Sequence, residues 1–409
     1  MNCRFCKSVL KDLMIDLGMS PLANAFISEK KIKLREEFYP LQVYVCRECF
    51  LVQLGIDQSP EKMFSNYVYL SSYSKTWLNH IKEFVEKTTK RFNLDKNSLI
   101  FEVASNDGYL LKFFKENEIP TLGIEPATNI AKIAEKNGIK TINKFVTLDT
   151  AKEIIKDHKK ANMIIAFNVL PHVPDLSDFV QAIKEMLDHN GIIVIQFSDY
   201  LPVFFLENEF DTIYHEHFSY FSFLTIKKIF ERFDLDIFDV EELSIHGGSL
   251  RIFVKHKLNY SISIESSVKK QLEKEIKMGF NQITKYSDFA ERVIQLKQNI
   301  WEFLIKAKEG RKKIICYGAP AKGNTLLNYC GIGKDFIDYT VDINPYKQGL
   351  FLPGTHIPIF SPEKIKETKP DYIIILPWNL KEEIMEDNSY VHTWGGKFVT
   401  FIPEVRIHQ

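Results

Sequence analysis

Residues 211–221 read Asp-Thr-Ile-Tyr-His-Glu-His-Phe-Ser-Tyr-Phe and put two histidines, a glutamate and two tyrosines among large apolar side chains. Polar groups in such company are costly to bury unless paired, and paired groups of this kind have displaced pKa values. Acid–base catalysis needs that setting: a base poised near neutrality, a carboxylate to orient it, and a phenol that can donate a proton. The same groups would also serve as a buried polar cluster that ties a loop down.

A second set of reactive side chains opens the chain. Cys3-x-x-Cys6 and Cys46-x-x-Cys49 supply four thiolates in two closely spaced pairs, the ligand set of a tetrahedral Zn²⁺ site. All four positions are cysteine, which leaves no vacancy for a substrate, so the metal reads as structural. Redox-active dithiols are the other use of such pairs. Cys316 and Cys330 have no paired spacing and read as packing residues.

The elements that must position these groups follow from periodicity. Short apolar runs over residues 98–104, 121–125, 140–145, 163–168 and 191–198 read as strands. The helical patterns between them bury Leu110, Leu111, Phe113 and Phe114, then Ile130, Ile133 and Ala134, then Phe179, Ile183 and Leu187. Such alternation means a parallel sheet covered on both faces. Two more strands, 234–241 and 249–255, are joined so briefly that they must be antiparallel. Seven strands with a terminal antiparallel pair is the pattern of the class I S-adenosylmethionine-dependent methyltransferase fold, an α/β architecture. Residues 259–308 read as a helical bridge with Leu272, Ile276, Phe280, Ile283, Phe289, Val293, Leu296, Ile300 and Phe303 inward. An α/β rhythm then restarts, with strands at 312–318, 339–342, 371–376 and 397–402.

Three turns in this frame suit ligands. The first strand runs into Glu102-Val103-Ala104-Ser105-Asn106-Asp107-Gly108, whose small residues let backbone approach a ligand at the carboxyl end of the sheet. The second ends in Glu125, placed to accept both hydroxyls of a ribose. The G-x-G-x-x-G fingerprint of nicotinamide folds is missing, and polar Ser105 and Asn106 suit an amino-acid moiety better than a pyrophosphate. After the fourth strand, residues 168–172 (Asn-Val-Leu-Pro-His) hang over the same crevice; His172 there reads equally as a surface loop residue. Near the other end, residues 317–324 (Tyr-Gly-Ala-Pro-Ala-Lys-Gly-Asn) turn into a helix, with free N–H groups and Lys322 as a point charge for an anion. Tight packing of helix on strand is the alternative use of those small residues, and the spacing is not that of a Walker loop.

Composition bounds the reading. At 409 residues the chain should hold two or three domains, and 45% hydrophobic with 26% charged residues is ordinary for a globular protein. Fifty-three basic residues balance fifty-three acidic ones, which gives no reason to expect nucleic acid or an anionic membrane as partner. No apolar run reaches the eighteen or so residues of a membrane span, and the first residues lack a signal-peptide core, so a cytoplasmic protein is expected.

Taken together, these parts resemble the sugar C-methyltransferase family that methylates C3 of nucleotide-linked 4-keto-deoxysugars. The resemblance covers essentially the whole length: the four-cysteine module, the Ser-Asn-Asp-Gly turn, the Tyr-His-Glu-His segment, the turn His246-Gly247-Gly248-Ser249-Leu250-Arg251, and the Tyr-Gly-Ala-Pro-Ala-Lys-Gly opening of the last domain. Ala104 stands where the family usually has glycine. The resemblance implies modules at 1–75 (zinc), 76–258 (methyltransferase core), 259–308 (helical bridge) and 309–409 (Rossmann-like, holding the nucleotide sugar). It implies His217 as general base, with Glu216 and Tyr214 orienting it and stabilising an oxyanion, and His172 and Tyr67 or Tyr69 completing the site. S-adenosylmethionine would lie on Glu102, Ala104, Ser105, Asn106, Gly108, Glu125, Pro126 and Asn168. The nucleotide sugar would meet His246, Gly247, Gly248, Ser249, Arg251, Tyr317, Gly318, Ala319, Lys322 and Gly323. A monomer or small homo-oligomer is expected. An O- or N-methyltransferase acting on a related sugar, or a zinc-bearing sugar-nucleotide binder without chemistry, are the rival readings; binding alone has no need of a base.

Overall fold

The computed structural model describes residues 1–55, 59, 63, 72 and 75–408. Tyr67 and Tyr69 lie outside them, as does the side chain of His246.

The two cysteine pairs fold as matching knuckles. In each, the N–H four residues after the first cysteine returns to that cysteine's carbonyl (Lys7 to Cys3, 3.1 Å; Phe50 to Cys46, 2.9 Å), and both returning residues adopt left-handed φ near +64° and +63°. The knuckles flank a sheet of β1 (Asp12–Ser20), β3 (Tyr39–Val45) and β4 (Val52–Leu54); β2 (Ile27–Ser28) stands apart from it. The fourth strand of that sheet, β10 (Ser219–Tyr220), comes from the middle of the chain, directly after the histidine segment, and pairs with β4. The zinc module is therefore built onto the segment that carries the candidate base.

The central sheet contains β5 (Ile100–Val103), β6 (Thr121–Ile124), β7 (Thr141–Ile142), β8 (Ala161–Phe167), β9 (Leu187–Phe197), β11 (Leu235–Leu243) and β12 (Ser249–His256), in the order β11-β12-β9-β8-β5-β6-β7. Five parallel strands with an antiparallel pair at one edge is the class I methyltransferase topology expected above. Two strands differ from their expected extent. β7 has two residues where six were expected, because the amide of Asn143 donates to the carbonyls of Glu125 (2.8 Å) and Pro126 (2.9 Å) and draws the chain off the sheet edge. β9 starts at Leu187, expected as the last inward residue of a helix.

In the bridge, helix Phe289–Glu309 buries Phe289, Val293, Leu296 and Ile300 as the periodicity requires, while Phe280 is buried in the link that follows helix Ser266–Lys277. Ile276, expected inside, is 44% exposed, and its neighbour Glu275 is fully buried instead. The reason lies across the interface. The Glu275 carboxylate accepts the first N–H groups of helix Phe223–Glu231, from Phe223 (2.7 Å) and Leu224 (2.8 Å), which have no partner within that helix. Burial raises this carboxyl to about 7.

The last sheet holds β13 (Ile314–Tyr317), β14 (Thr340–Val341), β16 (Ile359–Phe360), β17 (Tyr372–Ile375), β18 (Lys397–Thr400) and β19 (Arg406–His408), ordered β16-β14-β13-β17-β18-β19 and parallel except for β19. β15 (Leu350–Phe351) leaves this sheet and pairs with β2 of the zinc module. In an open α/β sheet, ligands bind beyond the strand ends where the strand order reverses. That point lies between β5 and β8 in the central sheet and between β13 and β17 in the last. Both reversals face one cavity.

Candidate active site

The cavity has a volume of about 560 Å³ and is lined by all three regions of the chain: Asn24 from the first, Asn106, Asn168, His172 and His217 from the centre, and Lys322 and Lys347 from the last. Its two ends differ in chemistry.

At the β5 end the chain leaves the strand through Ala104 (φ +52°) and Asn106 (φ +49°), both left-handed. Alanine carries a Cβ there that glycine would avoid, a strain the turn must hold. Glu125 fixes the turn: its two oxygens accept the N–H groups of Asn106 (2.9 Å) and Ala127 (2.8 Å). Burial raises the Glu125 carboxyl, offset in part by those two bonds. Val103, Ala104, Asn106, Glu125, Pro126 and Asn168 line the crevice. Asn168 Oδ1 is buried with no hydrogen bond among the described residues, and the side chains present fit a nucleoside with an amino-acid tail. Glu102, Ser105 and Gly108, expected on the ligand, do not reach the cavity. Ser105 fills the place a side chain on residue 123 would take, with Oγ 2.4 Å from the ideal Cβ position of Gly123; Gly108 packs on Ile139; and Glu102 is sealed beneath, its carboxyl raised well up by burial and then by the charges of Asp107 and Glu125.

At the other end stands His217. Its Nδ1 lies 2.6 Å from Oδ1 of Asp199, a charge contact off the line of the ring N–H rather than a hydrogen bond, with both side chains almost wholly buried. The ring of Tyr214 lies 3.9 Å from the His217 ring, centroid to centroid, and His172 meets it edge-on at 4.7 Å. Asp199 was not singled out from the sequence; its signal was an acid just past the end of β9, at the carboxyl edge of the sheet. Asp199, and not the Glu216 carboxylate, is the acid beside the His217 ring. Consecutive residues of a turn point apart, and the Glu216 carboxylate turns toward the zinc module, where Oε1 accepts from Asn24 Nδ2 at 2.7 Å. Its main-chain carbonyl lies 2.8 Å from His172 Nδ1. Burial, reinforced by the His217 charge, pushes His172 down to about 3, so this imidazole is neutral at physiological pH. His215 faces away, 3.3 Å from the carbonyl of Pro40.

The third wall comes from the last sheet. Lys322 Nζ sits 4.6 Å above the Trp378 ring, and Trp378 Nε1 donates to Asp211 (2.9 Å). Glu209 and Asp211 are buried near that lysine; burial raises both carboxyls, Glu209 to about 8, against the lowering charge of Lys322. The turn at 317–324 is less open than its composition indicates. The N–H of Ala319, read as free for an anion, is taken by Asp342 at 2.7 Å. Gly318 and Gly323 serve close packing, since a Cβ on either would strike Pro377 (2.5 Å) or Leu376 (2.9 Å). Gly247 and Gly248 are likewise pressed on Trp378 and Val203. Ser249, Arg251 and Tyr317 are buried outside the cavity. Arg251 belongs to a polar cluster with Gln196 (2.8 Å), Glu241 (2.9 Å) and His80 (2.9 Å), because its position on β12 faces the neighbouring strands.

The four cysteine sulfurs lie within 4.8 Å of one another, with Cys3 and Cys49 at 3.5 Å and Cys6 and Cys46 at 3.4 Å. Tetrahedral Zn²⁺ with Zn–S near 2.3 Å needs sulfurs about 3.8 Å apart, so the donor set fits that ion. Gln53 donates to Cys3 (3.3 Å) from β4, opposite Ser219, and so links the metal site to the strand two residues beyond His217. No helix among the described residues is long and apolar enough to cross a membrane.

Comparison with known proteins follows the same three parts. Residues 3–64 match the family model described as "Putative zinc binding domain", residues 77–240 the "Methyltransferase domain", and residues 244–403 the "C-methyltransferase C-terminal domain". The C-methyltransferase NovU of Streptomyces niveus is 32% identical over 99% of this chain and 96% of its own. A ubiquinone biosynthesis O-methyltransferase of Pelagibacter ubique is 24% identical over 31% of this chain and 54% of its own. A solved S-adenosylmethionine-dependent methyltransferase of Clostridium acetobutylicum, 12% identical, covers 44% of this chain and 92% of its own with a TM-score of 0.35.

Proposed function

Because the chain belongs to the C-methyltransferase family, S-adenosylmethionine-dependent enzymes with a zinc-binding domain, we propose that it methylates C3 of a nucleotide-linked 4-keto-deoxysugar through an enolate. The observation that carries this reading is the His217–Asp199 contact of 2.6 Å in a cavity shared by the cofactor turn and the last sheet. A ketone at C4 acidifies the hydrogen on C3. His217 takes that proton through Nε2, since Nδ1 faces Asp199, and Asp199 stabilises the resulting imidazolium. Tyr214 holds the imidazole plane and supports the oxygen on which charge develops. S-adenosylmethionine, when bound, supplies an electrophilic methyl group. Asn106, Glu125, Pro126 and Asn168, which line the crevice, would hold that cofactor, and Ala104 sets the turn. Lys322 takes the nucleotide diphosphate, with Pro320 and Ala321 lining the cavity beside it and residues 309–409 as the module for it.

The test separates proton removal from methyl transfer. Given the sugar nucleotide and S-adenosylhomocysteine in deuterated water, the wild type should wash deuterium into C3. His217→Ala should lose roughly 10²–10⁴ in that rate while binding both ligands. Exchange as fast as wild type would move the base elsewhere, with His172 the next candidate. NMR of the methylated product then decides the atom. Methyl on oxygen or nitrogen, or on C5 at the other side of the ketone, would overturn the C3 assignment.

A further inference from the structure

Glu216 stands where the three regions of the chain meet. Its carboxylate is wholly buried, with Oε1 bonded to Asn24 of the zinc module and Oε2 without a hydrogen bond among the described residues. Two cations act on it through space, the His217 ring first and then Lys347 of the last domain, which is itself buried, donates to the Ala319 carbonyl (2.8 Å) and lies 3.8 Å from Asp342. Burial raises the Glu216 carboxyl, and a carboxylate with one hydrogen bond keeps its charge there only with cations nearby. Asn24 and Lys347 are set relative to each other by one short ladder: β2 begins three residues after Asn24, β15 begins three residues after Lys347, and the two strands pair antiparallel. The Lys347 ammonium rests over the ring of Phe26, 5.1 Å from its centroid. The backbone of Glu216 leads directly to His217, and its carbonyl holds His172.

We infer that Asn24 and Lys347 are positioning residues for the base: Asn24 through its hydrogen bond to Glu216, and Lys347 through its charge and the β2–β15 ladder it shares with Asn24, fix the turn that aims His217 and His172 into the cavity. This rests on the reading that residue 217 removes the proton. The zinc module thereby contributes to the chemistry as well as to stability, through Asn24, and the last domain does so through Lys347, whose side chain also lines the cavity. A base displaced by about 1 Å loses on the order of 10²-fold in rate, so the effect belongs in proton removal rather than in binding.

Asn24→Ala and Lys347→Met are to be compared with wild type for deuterium wash-in at C3, kcat, KM, S-adenosylmethionine affinity, zinc content and thermal midpoint. The expected result is a roughly 10- to 100-fold fall in exchange and in kcat, with KM and cofactor affinity within about threefold of wild type and zinc retained. The double variant should lose about as much as the worse single one, because the two residues act through one carboxylate. Exchange within twofold of wild type in both single variants, or losses confined to KM, would overturn the inference. Should Lys347→Met lose its fold, the half-buried Asn24 carries the same test. If His217→Ala also exchanges at the wild-type rate, the reading of the base has failed; if His217→Ala is dead while Asn24→Ala and Lys347→Met are normal, only this inference has.

Discussion

Replacing Asp199 by Asn tests the charge behind the base while keeping the shape of the side chain. At 2.6 Å, a full imidazolium–carboxylate pair in surroundings of effective dielectric about 20 is worth about 6 kcal/mol. Part of that offsets the cost of holding an ion in a pocket where both side chains are under 10% exposed, and discounting by half leaves about 3 kcal/mol. Each 1.4 kcal/mol is tenfold, so Asp199→Asn should lose on the order of 10² in proton exchange and kcat, and up to 10⁴ should the amide also hold the wrong tautomer. The assays are deuterium wash-in at C3 with S-adenosylhomocysteine and initial rates at saturating substrates. KM should barely move, because the substrate is bound before the imidazolium exists. Asp199→Asn combined with His217→Ala should be no slower than His217→Ala alone. A loss below about fivefold, or fully multiplicative losses in the double variant, would refute the assignment of Asp199 to the base.

Other consequences are equally direct. One zinc per chain is expected in protein purified without chelator, and Cys46→Ser should lower folding yield more than it alters turnover, read by metal analysis and by activity per folded molecule. Glu125→Ala frees two buried N–H groups in the cofactor turn as well as removing an acceptor, so calorimetry should show roughly 10- to 100-fold weaker S-adenosylmethionine binding. Glu209 has a folded-state value of about 8 against an ordinary 4.5, so its contribution to stability is full below about pH 4.5 and is lost as pH rises through about 8. Urea denaturation at pH 5 and 8.5 should therefore show a smaller fall for Glu209→Gln than for wild type; parallel curves would count against it.

The two α/β units were legible because buried parallel strands leave unbroken apolar runs, as in residues 163–167 and 372–375. The metal site was legible because its ligands come as local pairs. What the chain order hides is contact across distance. Asp199 lies 18 residues before His217 and meets it only because β9 and the turn before β10 end at the same edge of the fold. Glu216 looked like the orienting acid because it is adjacent in sequence, and adjacency in a turn sends side chains in different directions. Asn24 and Lys347 carry no local signal, since their roles exist only once β2 has met β15. Arg251 was expected on the substrate only through the family resemblance; on β12 it meets Gln196 instead.

The seam between the zinc module and the last domain also has a clock in it. Its hydrogen bonds join Ala23 to Asn324 and Glu36 to Gly354, 301 and 318 residues apart in sequence. At roughly 5–20 residues per second of synthesis, Glu36 waits on the order of 15–60 s for its partner to be made, whereas the two cysteine pairs, 40 residues apart, are complete within about 2–8 s. The metal site can thus close on the nascent chain long before β15 exists to cover β2. In that interval the module carries an open strand edge, the kind of surface that pairs with the wrong chain. Substitutions along the seam should then reveal themselves first as aggregation during expression, in zinc-loaded material, ahead of any loss of stability in the finished protein.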